Sequence, residues 1–242
     1  MEKTVSEAIA YRRSTRIYKD EPIDTDKVKQ CLINASLAPT SSNLQLWEFY
    51  HITTKETLDK MSVACLNQNA AKTAQQLVVV VARKDLWRKR AKANIEFIQK
   101  VYDKENLSDR EKKRKKMAMD YYGKLIPTVY TDLLGILGLI KYIIFQIIGL
   151  FKPTYRQTRL SDMRIVAHKS AGLAAENFMI SMASIGYDTC PMEGSDTLMV
   201  KRILKLSSSA EITMVIGCGL RDPKGIYGPR FRVPFNEVYF EI

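Results

Sequence analysis

Leu77-Val78-Val79-Val80-Val81-Ala82 is the stretch on which the fold turns. It is a continuous apolar run, mostly β-branched, of the kind found in strands covered on both faces. Such a strand needs a layer of other elements on each side. Toward the N-terminus, residues 55–66 place Leu58, Met61, Ala64 and Cys65 at helical core spacing, and 47–53 (WEFYHIT) read as a strand. Asp24-Thr25-Asp26 supplies N-cap candidates for a helix to about Leu37, with Val28, Cys31, Leu32 and Ala35 on one stripe, and residues 4–11 read as a short helix. Toward the C-terminus, 85–125 is helix-rich and strongly charged. Ser161-Asp162 is positioned to cap a long helix to about Ile185, ended by Gly186. Residues 196–205 read as a helix, 211–217 as a strand, and 231–242 as an extended arm with alternating pattern. Few strands and many helices, without βαβ repeats, predict an α+β fold.

Composition narrows the function classes. The chain has 242 residues, 46% hydrophobic and 26% charged, which excludes a disordered or collagen-like chain. This suits a single domain over 1–242, with an insertion at about 85–160. Four dispersed cysteines without a CxxC pair argue against a disulfide-stapled module and a Cys-type zinc site, and no metal is expected. The start has no apolar run, so a cytoplasmic location is expected. The net charge of +12 is concentrated in two places: residues 83–116 carry +8 and residues 131–165 carry +3. The 83–116 run lacks interleaved aromatics and matches no reader motif, so no nucleic-acid partner is expected.

Several short segments carry chemistry. Arg12, Arg13, Ser14 and Arg16 form a cluster able to grip a phosphate dianion, because guanidinium forks and a hydroxyl donate together. Arg230 and Arg232 form a second cluster at the other end of the chain. Pro39-Thr40-Ser41-Ser42-Asn43 is a loop rich in hydroxyl and amide groups, which turn formation alone would also explain. Asn69-Ala70-Ala71-Lys72 precedes the buried strand, and Cys190-Pro191-Met192-Glu193-Gly194 reads as a tight turn with exposed amides. His51 and His168 are read as structural, and Cys190 as a small buried thiol.

In this order the segments resemble the FMN-dependent nitroreductase family. The resemblance runs through RRSTRxY, APTSSNxQxW, NxxK before VVVV, PMEGSD and RFRVP, and covers roughly 8–82 and 161–240. It implies a central, mostly antiparallel sheet flanked by helices, in a homodimer whose C-terminal arm is domain-swapped. It implies FMN bound at the subunit interface and NADH or NADPH as donor. Arg12, Ser14, Arg230 and Arg232, with Arg13 helping, are then the phosphate grip. Arg16, Asn69 and Lys72 are the pyrimidine-edge contacts. Ser41, Ser42 and Asn43 are the partner subunit's contribution, bordered by Pro39 and Thr40. Pro191, Met192, Glu193 and Gly194 lie beside flavin N5. The implied activity is ping-pong hydride transfer to a small-molecule acceptor, nitroaromatic, quinone or related, with no protein catalytic group. Reductive dehalogenation, flavin degradation and quinone reduction at a membrane surface are the alternatives. Leu46 and Ser195 depart from the family's usual Pro and aromatic, and GxG in IGCGLRD is a poor dinucleotide signal.

The segment 133–151 (LLGILGLIKYIIFQIIGLF) departs from all this. It holds fourteen apolar side chains, three glycines, Lys141 and Gln146, with basic residues on both sides. Gly135, Gly138, Tyr142, Gln146 and Gly149 fall on one helical stripe. Three readings stay open: a lid over the flavin, an anchor in an anionic membrane surface through 131–152, peripheral on the inner face, and a membrane span.

Overall fold

The structure is a computed structural model that describes residues 2–133 and 135–242; within the apolar segment, Leu134 lies outside the described residues. The described residues form four strands, β1 (Trp47–Ile52), β2 (Gln76–Ala82), β3 (Asp188–Met192) and β4 (Glu211–Gly219). They make one sheet of order β1-β2-β4-β3, with every neighbouring pair antiparallel. The helices are α1 (Val5–Tyr11), α2 (Thr25–Ser36), α3 (Lys55–Ala64), α4 (Asn69–Lys72), α5 (Trp87–Val101), α6 (Asp109–Asp120), α7 (Ile126–Tyr130), α8 (Ile136–Phe151), α9 (Leu160–Ser184) and α10 (Thr197–Ile203). The fold is α+β, as the patterning predicts.

Every residue of β2 is buried. Strand alternation divides it between two cores. Val78, Val80 and Ala82 face a core with Phe178, Met182 and Ala171 of α9 and with Val28 and Cys31 of α2. Leu77, Val79 and Val81 face a second core with Leu58, Met61 and Ala64 of α3 and Val200 of α10. A continuous apolar run here marks an antiparallel strand, because helices cover both of its faces.

Three local expectations are corrected. The long helix is capped differently from the reading at Ser161-Asp162: Arg159 is the N-cap residue, and Asp162 reaches back to accept from its N–H at 2.9 Å. Cys190, Pro191 and Met192 lie in edge strand β3, with the turn starting only at Glu193. Pro191 is tolerated there because an edge strand has N–H groups to spare. The tail 231–242 forms no strand and carries a single 3₁₀ turn at Phe235–Glu237.

The stretch expected as an insertion, about 85–160, is an excursion from the end of β2 to the start of α9. Its entry is held by Arg83, which pairs with Glu48 and with Asp85 at 2.9 Å. It contains a π-turn at Tyr121–Leu125, the sort of irregularity that recurs at functional sites. The membrane-span reading is overturned. Among the described residues no helix is long and apolar enough to cross a membrane. α8 has 16 residues, so its length of ~24 Å falls short of a hydrocarbon core of ~30 Å.

The bonds from Arg159 hold the Asp162 carboxyl below its ordinary range despite the opposing effect of burial. A depressed carboxylate stabilises the fold above its unfolded pKa and loses that contribution as pH falls through the folded value. Asp162→Asn is therefore expected to cost about 0.3–1 kcal/mol at neutral pH. Urea denaturation should show wild type and variant converging as pH falls below the ordinary Asp range.

Candidate functional site

The N-terminal arginines are placed by a buried polar clasp. Asp188, at the start of β3, accepts from Arg221 Nε at 2.7 Å and from the Arg221 backbone N–H at 2.9 Å. Tyr11 Oη donates to the same carboxylate at 3.3 Å, and Arg221 Nη2 donates to the Tyr11 carbonyl at 3.1 Å. The Arg221 guanidinium also lies 4.1 Å from the Tyr11 ring centroid. The end of α1 is thereby fixed to the sheet where Arg12–Arg16 begins. Ser14 bridges to Thr189, and Arg16 N donates to the Gly225 carbonyl at 2.7 Å.

The two basic clusters meet. Arg12, Arg13, Ser14, Arg16, Arg230 and Arg232 line one cavity of about 330 Å³, together with Tyr227 and Gly228. Arg13 donates to the Gly228 carbonyl at 2.6 Å, and Arg230 donates to the carbonyls of Ala10, at 3.0 Å, and Arg12. These bonds fasten residues 228–230 to the end of α1 and leave most guanidinium N–H groups free. No acidic side chain lines this cavity among the described residues; Glu176 stands 3.9 Å from Arg12 outside it. Desolvation, then the neighbouring Arg13, Arg232 and Arg12, lower the Arg230 pKa, as expected where like charges are packed together.

Tyr227 links this cavity to α4. Its ring lies 5.6 Å from the Arg16 guanidinium, and its hydroxyl accepts from Asn69 Nδ2 at 3.0 Å. Lys72, one turn further along α4, lines a separate cleft with Asp20, Lys55 and Asp59. Gln68 donates to the Gly194 carbonyl at 2.7 Å, so the Glu193–Gly194 turn is tied to the residue before α4. Glu193 and Gly194 are exposed, whereas Met192 is buried. The glycines of IGCGLRD make this approach possible. A Cβ on Gly217 would lie 2.5 Å from the Ala70 carbonyl, and one on Gly219 would lie 2.8 Å from the Tyr18 ring. They let α4 and the 14–19 segment close on β4, which is why that GxG is a packing device.

The Pro39–Asn43 loop lines a different cavity. Ser41 and Ser42 share a space of about 210 Å³ with Tyr121, Leu125, Tyr130 and Tyr155. Ser42 and Asn43 have φ of 55° and 48°, a conformation uncommon for residues other than glycine. The loop is held by its neighbours: Ser42 Oγ lies 2.7 Å from Tyr121 Oη, Tyr122 Oη donates to the Ser42 carbonyl at 3.1 Å, and Asn43 Nδ2 donates to Asn94 at 3.0 Å. Pro39 is exposed at its start. The excursion therefore grips this loop directly, a link that no motif spacing indicates. His51 bonds Gln76 across the sheet at 2.7 Å, and His168 bonds Thr213 at 3.0 Å and Glu211 at 3.1 Å.

These features can be set beside known proteins. The family model for the nitroreductase family matches residues 9–220. The chain belongs to the nitroreductase family. It is 23% identical over 228 residues to the Bacillus subtilis protein MhqN, assigned by name to the NAD(P)H nitroreductases, spanning 93% of this chain and 92% of the relative. It is 24% identical over 218 residues to protein DrgA of Synechocystis, spanning 89% and 83%. Among solved structures, the Bacillus subtilis nitroreductase-type protein YdfN superposes with a TM-score of 0.72 at 21% identity, covering 98% of both chains. A nitroreductase-type protein from Exiguobacterium sibiricum, solved in complex with FMN, superposes at 0.66 and 20% identity, covering 99% and 98%.

All four cysteines of this nitroreductase-family chain are buried. Burial pushes the Cys31 and Cys65 thiols up to about 11 and raises Cys218 further. Burial also raises Cys190, with Arg16 and Arg12 acting in the opposite direction. Thiolates are the reactive form. Titration of the native protein with a disulfide reagent near neutral pH should therefore register less than about one thiol within minutes, and all four after unfolding.

Proposed function

We propose that this chain is an FMN-dependent NAD(P)H oxidoreductase that reduces small planar acceptors. The observation that carries the reading is the arginine cavity. Four or more guanidiniums facing one space without a lining carboxylate form a donor set suited to a phosphate dianion, and FMN ends in one. The fit extends along the cofactor's length, because Tyr227 joins this cavity to Asn69, and Gln68 joins Asn69's neighbourhood to the Glu193–Gly194 turn. FMN, when bound, supplies the hydride chemistry between nicotinamide and acceptor.

The chain's own residues then have defined tasks. Arg12, Arg13, Ser14, Arg230 and Arg232 hold the phosphate. Arg16 and Asn69 offer cationic and amide donors to the pyrimidine edge, where positive charge favours the reduced, anionic cofactor; Lys72, expected beside them from the sequence, lines the separate cleft with Asp20 and Asp59 instead. The Glu193–Gly194 turn presents backbone N–H groups without adding a titratable side chain. Pro191 and Met192 set where that turn leaves β3.

Ser41 and Ser42 line a cavity separate from the arginines, and Asn43 follows them in the same loop, which supports a site completed by a second copy of the chain. Residues 231–242 are exposed throughout, as an arm intended for a partner surface would be. The apolar space beside Ser42, with Tyr121, Tyr130 and Tyr155 on its walls, suits aromatic acceptors such as nitroarenes or quinones.

The first test is the visible spectrum of the purified protein, before and after anaerobic NADH or NADPH. A flavin band that bleaches with either nucleotide is the expected result; a protein that stays colourless and leaves added FMN fluorescence unquenched overturns the proposal. Arg12→Ala and Arg230→Ala should each weaken FMN binding by about 10- to 100-fold, from ~1.5–3 kcal/mol for a charge-assisted hydrogen bond. Deletion of residues 231–242 should move the protein toward monomer in sedimentation velocity and lower its FMN content.

A further inference from the structure

α8 is turned inside out. Its seat on the protein is polar and small. Lys141 Nζ donates to the carbonyls of Thr128, Val129 and Thr131 at 2.9, 3.1 and 2.6 Å, satisfying the C-terminal end of α7. Arg156 donates to Gln146 Oε1 at 2.7 Å and to the Gly149 carbonyl, while the Arg159 guanidinium lies 4.8 Å from the Tyr142 ring centroid. Gly138 is buried, and a Cβ there would lie 2.8 Å from Asp132 Oδ2 and 3.1 Å from the Leu160 N. The inward stripe is thus Gly138, Lys141, Tyr142, Gln146 and Gly149.

The outward face is apolar. Ile136, Ile140, Ile143, Ile147, Leu150 and Phe151 are all exposed, from 48% for Ile140 to 85% for Phe151. At 3.6 residues per turn these six, with Leu137, Leu139 and Ile144, span an arc of roughly 160°. Among the described residues that arc carries no charged side chain, because the helix's one cation, Lys141, is withdrawn beneath it. A contiguous apolar face of this size is costly in water and marks a binding surface.

We propose that this face rests in the headgroup layer of an anionic lipid bilayer. Charge complementarity selects the occupant. Lys152 and Arg156 follow the apolar face directly and are exposed, Arg156 at its edge beside Gln146, while Arg159 is already paired with Asp162; the excursion that carries α8 holds nearly all of the chain's positive excess. An apolar helix face bordered by basic residues is the form that binds anionic interfaces. A protein partner would be held in register by hydrogen bonds across the contact, and this face offers no side-chain donor or acceptor; acyl chains require none. The helix is too short to cross, so it lies in the interface plane. The surface is distinct from the arginine cavity, and its test does not depend on bound flavin.

The experiment is vesicle flotation of the full-length protein, with phosphatidylcholine vesicles with and without phosphatidylglycerol. Wild type is expected to float with the phosphatidylglycerol vesicles at low salt, to leave them progressively as salt rises, and to float poorly with phosphatidylcholine alone. Ile143→Glu combined with Ile147→Glu should lower the partition about 10-fold or more, with an unchanged melting temperature, while Ile143→Leu with Ile147→Leu should bind as wild type does. Absence of wild-type flotation at low salt overturns the proposal. So does a Glu variant that floats like wild type. A Glu variant that forms a smaller oligomer than wild type in lipid-free sedimentation velocity also overturns it, and assigns the face to a second copy.

Discussion

β2 has no face left for water. Each of its side chains is buried, alternating between one core under α9 and α2 and another under α3 and α10. That constraint fixes the layer order, and the layer order decides where the chain can leave the sheet. The ends of β3 and β4 lie on the side where α1 and α4 arrive. The arginines therefore collect at an edge of the sheet, outside both cores, where their charges stay solvated until a dianion replaces the water.

Bringing so many guanidiniums together is unfavourable unless the backbone carrying them is held by other means. Asp188 supplies this. Its carboxylate is nearly fully buried and is shared among Arg221, the Arg221 backbone and Tyr11. Losing one member of such a group leaves the others buried without partners, so the group behaves as a unit. The charge that neutralises Arg221 is thus spent on position, and the cavity a few residues along the chain is left with no lining carboxylate among the described residues. An anion-binding site needs that separation between the carboxylate that builds it and the cations that serve it.

Much of this was legible in the sequence, for reasons that particular residues make plain. The LVVVVA run, the Asp24 cap and the long helix ended by Gly186 at φ 84° are local signals, and the structure keeps each of them. That the N- and C-terminal arginines share a cavity is a long-range fact; the resemblance implied it, and no local pattern could. β3 escaped notice because Pro191 and a short edge position remove the usual alternation. The α9 cap was misplaced by two residues because Asp162 serves as the reciprocating N3 side chain, so the capping pattern starts at a non-standard residue, Arg159. The grip of Tyr121 and Tyr122 on Ser42 depends on a π-turn, which has no dependable sequence signature.

The excursion obeys the opposite rule from the domain it leaves. In the body of the fold, apolar stripes turn inward and charges outward. In α8 the lysine, the glutamine and two glycines turn inward, because the seat they meet consists of the unsatisfied carbonyls at the end of α7 and the backbone at 159–160. Those carbonyls need donors more than they need apolar cover. Lys141 meets that need at the cost of partial burial, which lowers its pKa against the weaker opposing influence of Asp132. Once the polar residues are committed to the seat, helical periodicity leaves the isoleucines no direction but outward. The apolar surface is therefore a geometric consequence of how α8 is anchored. Removing it by substitution would leave the anchor intact, so the exposed face is free to serve something other than the stability of the fold.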